Sequence, residues 1–351
     1  MKKTALLVIG FFTATFIFSC AGSPKGDGRN PPLWVTDHEK AYPDRDWLIV
    51  VEAEQDAKLA ERAAVTRLAQ VFRVDLVSVT NVNSQFAETV NNVKGKKQLI
   101  TSQSIDIAQE LLSSISTVSG LIGMQVESWV NPKGRSYANA RMNRKECSAR
   151  YSGMIRETEK VIGGLLEEAE RNPRTFEAFQ MLNLAYSFAA VTDNFYSLLT
   201  VLDPSAISRR PSYGNAGAVK SKVQSAGRSI VVTVKVNGDN GSRIEKAFTE
   251  CLNSRGFRTS AAGDNPYVLA VSFQLETADL ASPMNDKYVE YFLSYSLKNR
   301  DGVELLSSFV KDKEGHPSES GARQRAIGAA EKFIASNGFA ANFDAFLASL
   351  L

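Results

Sequence analysis

Lys2 and Lys3 precede an apolar run over residues 4–18, and Ser19-Cys20-Ala21-Gly22 follows it. This charged, apolar, small-residue order is that of a secretory signal. It constrains the chain before any other feature, because it takes residues 1–19 out of the folded body and places Cys20 at the cut. A cysteine there reads as a bacterial lipoprotein signal, in which Cys20 is acylated and becomes the mature N-terminus. Two rivals stand beside this reading. Ser19-Cys20-Ala21 also meets the small-x-small rule of ordinary secretion. An uncleaved anchor is the other, although the run falls short of the roughly 20 residues a spanning helix needs and is broken by Thr13 and Thr15. Ile17 and Ser19 suit a lipobox, whereas Phe18 is bulky for its position. Residues 20–32 (CAGSPKGDGRNPP) hold Gly, Pro and charge with almost nothing to bury, and read as a solvated tether. Ala21, with no aspartate beside Cys20, suits an outer-membrane destination facing the periplasm.

A chain of 351 residues carries a prior of two domains. Its 44% hydrophobic and 23% charged content suffices for ordinary globular cores. The net charge is +3, and Lys2 and Lys3 leave with the signal, so the mature chain sits near +1. A nucleic-acid partner needs a concentrated basic surface, and this balance supplies none. Only His38 and His316 exist, which excludes a multi-histidine metal site. There is no C-x-x-C, H-E-x-x-H, G-x-S-x-G or G-K-[ST] motif. With Cys20 committed to lipid, Cys147 and Cys251 remain. Cys251 shares a helical stripe with Ile244, Phe248 and Leu252. Cys147 shares one with Tyr151, Met154, Thr158, Ile162 and Leu165. Both are expected to be small buried residues. An oxidising compartment would permit a disulfide, but spacing alone does not show that the two meet.

Periodicity divides the rest. Pro31-Pro32 holds the chain extended, and Trp34 reads as a packing anchor. Residues 47–53 (WLIVVEA) are a strand, and Asp56 can open a helix on which Ala57, Ala60, Ala64, Leu68 and Val71 recur. That alanine stripe suits close packing on a sheet. Residues 74–85 read as a strand, 91–97 as a loop, and 105–114 as helix or strand. Alternation over 123–130 and 135–142 around Asn131-Pro132-Lys133-Gly134 predicts a β-hairpin. A long helix follows over 143–170 and breaks at Pro173. A second carries Phe176, Phe179, Leu182, Tyr186, Ala189, Tyr196 and Leu199 along one side, completing an αα-hairpin.

Trp34-Val35, Tyr42-Pro43, a strand ending in Glu52-Ala53, the alanine-spaced helix and a hairpin closing on Tyr137-Ala138-Asn139-Ala140 resemble the LPP-twenty lipoprotein family. Its relatives include the flagellar outer-membrane protein FlgP. The resemblance covers residues 31–166. Relatives usually place glycines at the end of the first strand, where this chain has Ile49 and Val51. The family implies an α+β envelope lipoprotein and supplies no catalytic residues.

Residues 205–228 are Ser/Gly/Pro-rich and hold Arg209, Arg210, Lys220, Lys222 and Arg228 without an acid. They read as a flexible connector or as a basic strip for anionic headgroups or glycan phosphates. Beyond it, strands are expected over 229–236, 267–276, 288–297 and 303–311. Ser242 can cap a helix to Asn253, Gly256 fits its end, and helices are expected over 319–336 and up to Leu351. Asn299-Arg300-Asp301-Gly302 marks a hairpin. The helix, Gly256-Phe257, Pro266-Tyr267 and the long hairpin resemble the periplasmic domains of CsgG and the synthase activator LpoB.

The expected fold is α+β, with two small sheet-plus-helix domains joined by an αα-hairpin and a flexible linker. The boundaries are 1–19 signal, 20–32 tether, 33–142 first domain, 143–202 helical hairpin, 203–228 linker and 229–351 second domain. The regions on either side of the linker are expected to fold independently. Three places merit a test for chemistry. The loop 237–242 (NGDNGS) has the glycines of an anion cradle and two potential calcium ligands, Asp239 and Asn240, but is most simply a turn. His316 sits in a loop after a strand with no evident partner. Glu52, Glu54 and Asp56 read as helix N-terminal acids. The expectation is a non-enzymatic lipoprotein without cofactor or metal, held to membrane lipid through acylated Cys20 and docking onto an envelope protein. The alternative is an envelope enzyme or ligand binder acting at the cell wall.

Overall fold

The computed structural model describes residues 30–72, 121–206, 211–238, 241–263, 265–279 and 286–350, together with Ile107 and Gln109. The signal, Cys20, the strand expected over 74–85, nearly all of the segment 86–120, and Arg209 and Arg210 lie outside the described residues. The chain is α+β and divides into two compact units, one comprising residues up to 68 with 124–143, the other 69–123 with 144–351.

In the first unit, two short helices, α1 (Leu33–Thr36) and α2 (His38–Ala41), precede strand β1 (Trp47–Glu54). Trp34 is buried in α1. Helix α3 (Ala57–Val71) follows, opened by Asp56, whose carboxylate accepts from the amides of Lys58 at 2.8 Å and Leu59 at 3.1 Å. Glu52 and Glu54 are not helix acids. They stand in β1 opposite Ala138 and Ser136, because the β-branched run around them keeps the backbone extended. The expected hairpin forms from β2 (Gln125–Val130) and β3 (Ser136–Asn143). Asn131 closes it: its amide donates to the Arg135 carbonyl and its side-chain oxygen accepts from the Arg135 amide, both at 2.8 Å. Gly134 takes a φ of 84° there, which a Cβ would strain. The sheet order is β1-β3-β2, with both pairings antiparallel. One face of β3 buries Ser136, Ala138, Ala140 and Met142, and Ala60, Ala64 and Leu68 of α3 are fully buried. The Ser128 hydroxyl of β2 donates to Glu61 of α3 at 2.8 Å, which sets the alanine stripe over this face.

In the second unit, α4 (Arg144–Arg171) and α5 (Phe176–Leu202) form the αα-hairpin. Cys147, Tyr151, Thr158, Ile162 and Leu165 of the expected stripe are buried, with Ile155 in place of Met154. Helix α6 (Ala216–Ser229) comes next, then β4 (Val231–Asn237), α7 (Arg243–Ser254), β5 (Arg258–Ser260), β6 (Tyr267–Ala278), β7 (Lys287–Asn299), β8 (Glu304–His316), α8 (Glu319–Ala335) and α9 (Phe339–Ser349). The five-stranded sheet runs β5-β4-β6-β7-β8, parallel from β5 to β6 and antiparallel from β6 to β8. Strand β5 was not expected. It is three residues long, too short to leave a period. Gly256, at φ 87°, ends α7 as expected, with the Phe257 amide reaching back to the Leu252 carbonyl.

The linker over 203–228 requires correction. Its second half is α6, capped by Asn215, whose side chain accepts from the Ala218 amide at 2.8 Å. Val219 is 1% exposed, and Val223 and Ala226 pack partly buried against the core. These apolar residues lie at helical spacing but are diluted by Ser, Gly and Lys, so composition read as a loop. Gly227 is buried in this helix, where a Cβ would meet the Gly256 carbonyl oxygen at 2.9 Å and the Phe179 ring at 3.2 Å. Nor do the hairpin and the last domain fold apart. Phe176 packs against Phe257, Tyr267, Phe343 and Phe346 with ring centroids 4.3–5.7 Å apart. Phe179 packs on Phe257 with the ring planes tilted and centroids 4.8 Å apart. Hairpin and sheet thus share one core, in which each buried aromatic contributes about 1.5–3 kcal/mol of transfer free energy.

Candidate functional site

Cys20, the expected lipidation site, lies outside the described residues. The loop 237–242 is only partly described, since Asp239 and Asn240 are not. What is seen explains its glycine sterically. Gly238 has a φ of 87°, and a Cβ on it would collide with the Phe273 carbonyl oxygen of β6. The residue lets the end of β4 pass its neighbour. Ser242 occupies the N-cap of α7, but at φ 53° its side chain makes no capping hydrogen bond, contrary to expectation.

His316 ends β8, paired with Lys287, rather than lying in a loop. Its Nδ1 accepts from the Ser318 amide at 3.0 Å. Ser318 caps α8 through the Gly321 amide. The imidazole therefore braces a strand-to-helix turn. His38 is exposed on α2. Cys147 and Cys251 are both buried thiols not joined in a disulfide, and burial raises the Cys251 thiol above its ordinary pKa.

Two polar constellations and a cavity emerge from the fold. In the first unit, Arg141 Nη1 donates to Glu127 and to Asn139, each at 2.7 Å, and the guanidinium lies 4.6 Å from the Tyr42 ring centre. Burial raises the Tyr42 phenol, with Arg141 opposing. Asn139 is fully buried, yet among the described residues its Nδ2 has no partner, and neither have Arg141 Nε and Trp34 Nε1. In sequence the alternation over 135–142 predicts a hairpin strand without saying which of its faces is covered. Only the fold makes β3 central and covers Asn139.

In the second unit, Asp193 accepts from the Ala216 amide at 2.8 Å and the Tyr213 hydroxyl at 3.1 Å. It latches the start of α6 to α5. Burial raises its carboxyl above the usual range, opposed by these two donors. A signal existed: Asp193 and Glu177 are the only charges in all of α5. Finally, a cavity of about 470 Å³ opens between the hairpin turn and α6, walled by Ala169, Pro173, Leu182 and Ala226 and rimmed by Arg174 and Lys222. Of the basic strip, Lys222 pairs with Glu170 at 3.1 Å and Lys220 lies 5.9 Å from the Tyr186 ring centre. Among the described residues no group of His, Cys, Asp and Glu has a metal-binding arrangement, and no helix is long and apolar enough to cross a membrane.

No family model matches the chain, and no curated protein matches it. Solved structures do. A minor lipoprotein from Acinetobacter baumannii is 15% identical with a TM-score of 0.27, covering 32% of this chain and 94% of its own. The lipoprotein GNA1162 from Neisseria meningitidis is 19% identical with a TM-score of 0.21, covering 30% and 96%. The secreted protein HP1454 from Helicobacter pylori is 12% identical with a TM-score of 0.37, covering 88% and 99%.

Proposed function

We propose that this chain is a bacterial envelope lipoprotein, acylated at Cys20, facing the periplasm from the outer membrane, and acting without catalysis as a docking or scaffolding component of an envelope assembly. The observation that carries the reading is the N-terminus: paired lysines, a short apolar run, Cys20 and a solvated tether. The motifs over 31–166 that resemble the LPP-twenty family agree with it. The side chains first suspected of chemistry are engaged structurally, His316 at the α8 cap and Asp56 at the α3 cap. A single lipid attachment concentrates its protein at a surface, which favours weak contacts with other surface-bound partners.

A ligand-binding role is the second reading, favoured by the cavity beside Arg174 and Lys222. Mass spectrometry of the mature N-terminus tests the first. The expected result is a chain beginning at acylated Cys20, and an unmodified chain beginning at Gly22 would overturn it. Replacing His38 and His316 together by Gln should leave cellular function intact, and its loss in a folded, anchored variant would favour an enzyme.

A further inference from the structure

The outer face of the five-stranded sheet has a composition that depends on which strand is read. Register places Ser272, Ser294 and Phe309 in one row across β6, β7 and β8. The next row along is Ala270, Ser296 and Ser307. On the other side lie Gln274, Phe292 and Lys311, then Glu276, Glu290 and Lys313. Alternate residues on the strands, Leu269, Val271, Phe273, Leu293 and Tyr295, fill the core on the opposite side. Phe309 is 63% exposed, an unusual position for a large aromatic ring. Beside it the small residues Ala270, Ser272, Ser294 and Ser296 leave a shallow depression of about 550 Å³. A knob therefore stands on β8, and the depression beside it runs across β7 to Ala270 and Ser272 of β6. Charge follows the same division, with Glu276 on β6 and Lys313 on β8 of one row.

We infer that this face binds a second copy of the chain, about a two-fold axis running along β7. Such an axis exchanges β6 and β8 and keeps each row opposite itself. Phe309 of each copy then enters the depression at Ser272 of the other. Glu276 of each faces the other's Lys313, and Gln274 faces Lys311. Ser294 and Phe292 lie on the axis and meet their own counterparts. Glu290 also lies on it, and Lys311 of its own chain pairs with it at 2.9 Å, which offsets the like-charge approach. Two-fold interfaces are self-complementary in this sense, and aligned sheets stack about 10 Å apart. Strand spacing and rise give the three strands an area on the order of 500 Å² per copy, the small end of specific interfaces. The dimer is thus a weak one, formed where the chain is locally concentrated.

The axis supplies the test. Ser294→Cys in the full chain should be joined to itself by a short bis-maleimide in membranes from expressing cells, with the wild-type chain as the blank because Cys147 and Cys251 are buried. Ser221→Cys, exposed on α6, is the control for random collision. The S294C dimer should exceed that control at least fivefold. Phe309→Asp should remove at least four fifths of it. Glu276→Lys should do likewise, and adding Lys313→Glu should restore at least half. A yield no greater than the control, or one unchanged by F309D, overturns the proposal and leaves the face to a different protein. A charge reversal that fails to rescue overturns the two-fold geometry.

Discussion

The central strand of each sheet must satisfy two faces. In the three-stranded sheet, β3 buries Ala138, Ala140 and Met142 on one side and Asn139 on the other. In the five-stranded sheet, β6 buries Leu269, Val271 and Phe273 on one side and leaves Ala270 and Gln274 exposed on the other. The same alternation of apolar and polar residues has different consequences. On the open face polar side chains reach solvent. On the covered face, Asn139 Nδ2 and Arg141 Nε have no hydrogen-bond partner among the described residues, and a buried donor without a partner costs about 1–3 kcal/mol. The small sheet carries a specific polar network on its second face, whereas the large one rests on a core rich in aromatic rings. The first depends on geometry and the second on volume.

The largest expected effect tests the shared core of the second unit. Phe176→Ala should cost about 3–5 kcal/mol, read by denaturant unfolding. It should also weaken hydrogen-exchange protection of α5 and the C-terminal sheet together. Separate transitions for hairpin and sheet would restore the independent domains first expected.

A matched pair of carboxylate changes compares the two sheets directly. Glu127 and Glu290 each pair with a cation, Arg141 at 2.7 Å and Lys311 at 2.9 Å. Arg141 is only 14% exposed, Lys311 48%. Glu127→Gln should cost about 1–3 kcal/mol, because it strands a largely buried guanidinium. Glu290→Gln should cost under about 0.5 kcal/mol, as exposed pairs do. Equal costs would show that the buried network is not what holds the smaller sheet.

The smallest effect concerns the α6 latch. Burial raises the Asp193 pKa above its ordinary value of 3.8. The native chain therefore takes up this proton more readily than the unfolded chain. The residue's contribution to stability should rise as pH falls through the raised pKa, and level off below the unfolded value. Asp193→Asn, whose one side-chain oxygen can accept from the Ala216 amide while its NH2 donates to the Tyr213 oxygen, should remove that dependence. A stability difference between variant and wild type that stays constant from pH 7 to 4 would show that the half-buried carboxyl is fully compensated.

Most elements were legible where a local signal is strong. Both expected hairpins use an Asn-x-x-Gly turn, 131–134 and 299–302, with glycines at φ 84° and 79°. Their chemistry needs no distant partner, so sequence alone determined them. The same holds for the long helices, the stripe through Cys251 and the α+β class. The N-terminal reading of Cys20 also belongs wholly to the sequence. Tertiary structure decided the rest. Helix α6 looked like linker because its propensity is weak, and docking on α5 through Val219 and Asp193 makes it a helix. Strand β5 exists because β4 offers an edge. Whether Asn139 is wet or buried, and whether Ser272 and Phe309 share a row, depends on strand order and register, which join residues far apart in the chain. Local periodicity reports which residues point the same way, and only long-range pairing determines what they point at.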